Sequence, residues 1–143
     1  AKEMFDKEAE FSKKAQEELA VFTKSVIDIL EASVKVFCEE DLELAKKVEP
    51  MEECIDYLSE EMKKRHVKRL RKGKCTIEMG FVLSDITTNY ERVSDHCSNV
   101  AICLLQLNEE GFDTHEYQGA YFGKGNEEYE DEVRRLREYY ALP

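Results

Sequence analysis

Helix breakers are scarce in this sequence. Of 143 residues only 2 are Pro and 6 are Gly, and Trp is absent. Long helices can therefore run with little interruption. No stretch alternates apolar and polar residues as a strand would. No apolar run approaches the ~20 residues that a membrane helix needs; the longest, Val100 to Leu105, reads as a core segment. No signal-peptide pattern opens the chain. It does not begin with Met, so it is expected to be a piece of a longer protein. The five cysteines (Cys38, Cys54, Cys75, Cys97 and Cys103) are odd in number and form no CxxC. They read as reduced thiols in a cytoplasmic setting. There is no Walker loop, Rossmann glycine pattern or Ser/His/Asp arrangement. The ExxH pairs of a ferritin-like di-iron bundle are missing too. The formal net charge of −11 and pI near 4.8 argue against attraction to nucleic acid. They suit metal cations, basic partners or simply an acidic solvated surface.

What is present is helical periodicity. A first helix is expected from about Asp6 to Cys38, with a stripe of Phe11, Ala15, Leu19, Phe22, Val26, Ile29, Ser33 and Val36. Asp41 is a candidate N-cap for a second helix from about Leu42 to Arg71. Its stripe is Val48, Met51, Ile55, Leu58 and Met62. Pro50 removes one backbone donor there and is expected to bend the helix. Lys72-Gly73-Lys74 ends it. A third helix from about Thr76 to Asn108 carries Met79, Val82, Ile86, Tyr90, Val93, Cys97, Val100 and Leu104. Residues 112–126 read as a loop, followed by a charged helix from about Glu127 to Tyr140, too polar to be central. The fold class is all-α: an antiparallel three-helix bundle over residues 1–110, then a loop and a short C-terminal helix over 111–143.

Two acidic motifs stand out. "MEECID" puts Glu52 and Asp56 four apart, and "ERVSD" does the same with Glu91 and Asp95. Each pair shares one helix face. With the turn centred between Gly73 and Lys74, Asp56 and Glu91 lie equally far on either side, and so do Glu52 and Asp95. In an antiparallel hairpin all four then meet at one height, to within about a turn. Two carboxylates ~4 Å apart repel by about 4 kcal/mol at an effective dielectric of 20. Bound cations, protonation or neighbouring Arg must offset that. Oxygen donors suit hard cations such as Mg²⁺, Ca²⁺, Mn²⁺ or iron. Glu49 and Asn99 extend the two rows as peripheral candidates. The competing reading is of solvated helix flanks with Arg92 and nearby Lys as partners. His96 adjoins Asp95 but points about 100° away around the helix, so it reads as a polar or packing residue. His66 and His115 carry no spacing signal. "KKRHVKRLRKGK", Lys63 to Lys74, holds eight Lys or Arg in twelve residues. It suits an anionic membrane surface or acidic partner, or a solvated helix end facing the C-terminal dipole.

"VEPMEECIDYL" followed by "TTNYERVSDHCSNVAI" resembles the PhoU family of phosphate-uptake regulators, whose hallmark is an E(D)xxxD motif on two helices of a three-helix unit. "RHVKRLRKGKCTIEMGF", "ERVSDHCSNVA" and "GNEEYEDEVRRLREYYAL" resemble the cytosolic PhoU-like domain of bacterial Na/Pi cotransporter family proteins. The resemblance implies a regulatory, non-enzymatic domain tied to sodium-dependent phosphate transport. It implies metal ions, often iron in multinuclear clusters, on Glu52, Asp56, Glu91 and Asp95. Expected partners are a transmembrane transporter portion and a second copy supplying the family's second three-helix unit. A plain helical adaptor without metal is the alternative. A carboxylate-bridged metal enzyme is disfavoured by the missing His ligands and general base.

Overall fold

The computed structural model describes residues 11–108 and 127–143. The expected first helical turns over residues 6–10, the loop over 112–126 and His115 lie outside them. Four helices follow in order: α1 (Lys13–Glu39), α2 (Leu42–Arg71), α3 (Ile77–Asn108) and α4 (Glu127–Tyr139). The first three pack on one another as an antiparallel three-helix bundle, and α4 lies against α2. No helix among the described residues is long and apolar enough to cross a membrane.

Local chemistry sets the helix ends. Ser12 accepts the Ala15 N–H at 3.2 Å at the start of α1, satisfying one of the free amides of a first turn. Asp41 does the same for Leu44 at 3.1 Å, and Thr76 Oγ1 for Met79 at 3.3 Å. Glu40 takes a left-handed conformation (φ 52°) to turn α1 into α2. Gly73 supplies the second turn with φ +68°, a conformation that glycine adopts without a Cβ penalty. α2 continues through Pro50, which is buried.

The core follows the expected stripes in α1 and α2. Phe22, Ile29, Val36, Val48, Ile55, Leu58 and Met62 are almost wholly inaccessible. In α3 the packing face is turned by about one position from the apolar stripe. Its buried line is Met79, Leu83, Thr87, Ser94, Cys97, Ser98, Ala101 and Leu105, whereas Val100 is exposed. Small residues there let α3 approach its neighbours closely. Their hydroxyls are satisfied locally: Thr87 donates to the Ser84 carbonyl and Ser94 to that of Glu91, both at 3.0 Å.

The C-terminal helix is docked despite its polarity. Tyr129, Val133 and Leu136 form its buried stripe, and Tyr140, just past its end, is buried with them. Tyr129 donates to the Glu53 carboxylate and Tyr140 to Asp28, so both phenols are anchored at carboxylates of the bundle. All five cysteines are free.

Candidate functional site

The acidic rows of α2 and α3 meet on one side of the bundle. Glu52 lies within hydrogen-bonding reach of both Asp56 and Asp95. Asp56 feels the charges of Asp95 and Glu91. Glu49 faces Asp56 and Asp95 as well, so it belongs to the same group. The side chains of Asn99 and, on the neighbouring face, His96 are exposed and make no hydrogen bond among the described residues.

The packing of α2 against α3 explains how the rows come together. Ile55, Leu58 and Met62 of α2 sit in the core, which leaves Glu49, Glu52 and Asp56 along the flank facing α3. Ser98 donates its hydroxyl hydrogen to Glu49, and Ser59 donates to Glu91. Glu49 and Ser98 are equidistant from the Gly73–Lys74 turn, the register that sets Glu52 level with Asp95. Ser59 and Ser98 gave no sign of this role in the sequence, because a hydroxyl on a packing face is indistinguishable there from a core filler. Lys63 stands 3.4 Å from Glu91, half-exposed. It is the only cation whose ion pair reaches the four motif carboxylates among the described residues.

The crowding shifts the protons. Burial, the shared hydrogen bond with Asp56 and the Asp56 charge push Glu52 up to about 9, from a usual 4.5. Burial is also the chief cause that raises Glu49, with Glu53, Asp56 and Asp95 adding their charges. Asp56 is raised by partial burial and by Asp95 and Glu91, against a hydrogen bond from Glu52 that stabilises its anion. Glu52 thus keeps a proton at neutral pH that an ordinary surface carboxylate has lost. As the side chains stand, no three Asp, Glu, His or Cys among the described residues are arranged to hold a metal ion. The donor set is nonetheless all oxygen and anionic, the kind that a hard cation takes.

A second charge cluster was not legible in the sequence. Glu18, 0% exposed, accepts from Arg65 at 3.0 Å and from Arg69 at 3.0 Å. Two members of the basic run therefore point inward to neutralise a buried acid from another helix. At the same end His66 is buried beneath Gly80, with Cys75 Sγ 3.6 Å from its Nδ1. Burial and the Arg69 charge lower the His66 pKa.

Comparison with known proteins fits this architecture. The PhoU domain model matches residues 19–104, more than half of the chain and most of the three long helices, both acidic motifs included. The chain belongs to the PhoU family. It is 30% identical over 76 residues to "Phosphate-specific transport system accessory protein PhoU homolog 1" of Thermotoga maritima, which covers 53% of this chain and 33% of that protein. The match thus spans about a third of the relative's length. No solved structure matches. Within this PhoU chain the family match ends at residue 104, so α4 lies outside the matched span.

Proposed function

We infer that this PhoU-family chain is a regulatory accessory domain for phosphate transport, and that its acidic flank binds metal cations. The observation that carries the reading is the convergence of both acidic motifs, from two helices, on one side of the bundle. Glu52, Asp56, Glu91 and Asp95 are the proposed ligands, with Glu49 at the edge and Asn99 further out. Iron, Mn, Mg or Ca all suit oxygen donors. A cation held there would take the place of the proton on Glu52 and would offset the mutual repulsion of the carboxylates. The name of the Thermotoga relative supports a role in phosphate transport, and the resemblance of "RHVKRLRKGKCTIEMGF" to cotransporter domains supports a place on the cytosolic side of a sodium-coupled transporter.

A partner surface supports that role. Ile27, Leu30, Val34 and Phe37 repeat at 3-4-3 spacing on α1 and are exposed. This is the seam pattern by which one helix packs on another. A second copy of the chain is the proposed occupant, which would restore two three-helix units. Light scattering should find a dimer that Val34→Glu/Phe37→Glu converts to monomer.

Metal analysis with calorimetry tests the site. Binding of Fe, Mn, Mg or Ca that disappears in Glu91→Ala/Asp95→Ala supports the reading; equal binding by that variant, or none by the native chain, removes it. A second reading, a metal-free helical adaptor, is favoured by one observation: the acids are already satisfied by Ser59, Ser98 and shared protons. On that reading neutralising the acids leaves partner binding intact, and reversing Lys68 and Arg69 abolishes it.

A further inference from the structure

At the end of the bundle away from the α1–α2 turn lies a cleft of about 500 Å³. That is within the usual range of ligand pockets, but its lining is cationic rather than apolar. Lys14, Arg65, Lys68, Arg69, Lys72 and Lys74 surround it. Among the described residues Glu18 is the only acidic side chain in the wall, and both of its oxygens are engaged by Arg65 and Arg69. Six cationic side chains against one acidic one leave an excess of five positive side chains there, in a chain whose total is −11.

The dipole of the α2 C-terminus accounts for only part of this. A helix end carries about half a charge, far less than the cleft gathers. Lys14 also comes from α1, at that helix's opposite, positive pole. Ser12, the N-cap of α1, is in the wall too, so the first turn of a 27-residue helix borders the cavity. Such a turn attracts anions. The side-chain ammonium groups of Lys14, Lys68, Lys72 and Lys74 form no ion pair or hydrogen bond among the described residues. An oxygen acceptor is already seated at one edge: Arg65 Nη1 donates to the Pro143 carbonyl at 2.6 Å.

We propose that this cleft binds a phosphate-bearing anion, either a free polyphosphate-type ion or an anionic phospholipid headgroup. The four unpaired lysines supply the charge. The Glu18-braced guanidiniums of Arg65 and Arg69 form the floor. This site is independent of the acidic flank and needs no metal.

The test titrates the full chain, in chelator, with inorganic tripolyphosphate and with inorganic phosphate by calorimetry. The same protein is sedimented with phosphatidylcholine vesicles with and without phosphatidylglycerol. A Lys68→Gln/Lys72→Gln/Lys74→Gln variant is compared with a charge-matched Lys35→Gln/Lys47→Gln/Arg134→Gln control. Circular dichroism of both variants verifies folding. Expected is saturable binding that weakens with salt, is stronger for tripolyphosphate than for phosphate, and drops about tenfold or more in the cleft variant only. Binding of phosphatidylglycerol vesicles alone, lost in the cleft variant, assigns the same chemistry to a lipid source. Equal losses in both variants, or no binding to any probe by the native chain, overturn the proposal.

Discussion

The ring of His66 fills the space that a side chain at residue 80 would need. A Cβ placed on Gly80 would stand 2.7 Å from His66 Nε2. Gly80 is thus a packing requirement of the α2–α3 contact. Gly80→Ala gains about 1 kcal/mol in helix propensity but meets an overpacking cost of about 1–3 kcal/mol. The expected net effect is destabilisation by about 1 kcal/mol. In a His66→Ala background the clash is gone, and the same substitution should stabilise. Urea titration of the four proteins of this cycle checks the change of sign.

Glu18 supports the next expectation. Its carboxylate is buried and holds two guanidiniums. Glu18→Ala leaves Arg65 and Arg69 with uncompensated charge and should cost about 3 kcal/mol. Glu18→Gln keeps oxygen acceptance and should cost less. Denaturation midpoints order the three proteins, and a Glu18→Ala variant as stable as the native chain would count against the buried ion pairs.

The acidic flank makes stability depend on pH. Glu52 has a folded pKa raised to about 9, and Glu49 and Asp56 shift the same way. A carboxyl raised on folding contributes fully below its unfolded pKa near 4.5, and that contribution is lost as pH rises toward 9. His66, lowered on folding, acts in the opposite sense only near and below 6.5. In chelator, Tm should therefore fall as pH goes from about 7 to 9. Glu52→Gln should flatten the slope, and so should a saturating cation if the flank binds one. A flat native profile would remove the proton-sharing account.

Docking of α4 rests on two phenols. Burial and the adjoining carboxylates of Glu53 and Asp28 raise Tyr129 and Tyr140, so both remain protonated donors at neutral pH. Tyr129→Phe and Tyr140→Phe should each cost about 1 kcal/mol. Hydrogen exchange should accelerate in residues 127–140 first, with the α1–α3 amides little changed.

The ease of reading the sequence varied with how local each signal was. Helix α2 was legible to its last residue, because Asp41 caps it and Gly73 ends the turn within a few positions. The meeting height of the acids was legible because two motifs stood symmetrically about that turn. The face of α3 was misread by one position. Thr87, Ser94 and Ser98 are buried polar residues, and hydropathy does not mark a hydroxyl that bonds to its own helix. Glu18 was invisible for another reason: its partners lie 47 and 51 residues away, and nothing nearby announces an acid at 0% exposure. The inward turn of Arg65 and Arg69 was hidden with it.

The brevity of the two bundle turns has a kinetic consequence. Only Glu40 and Asp41 separate α1 from α2, and residues 72–76 separate α2 from α3. Each antiparallel pair can therefore zip from its turn with little loop-closure entropy to overcome. Helical domains dominated by such near-sequence contacts fold on the order of microseconds to milliseconds. Helix α4 must cross the 18 residues between Asn108 and Glu127 before it can reach α2. Its docking should be a late, separable step, so the tyrosine variants should quicken unfolding while leaving the refolding rate of the bundle almost unchanged.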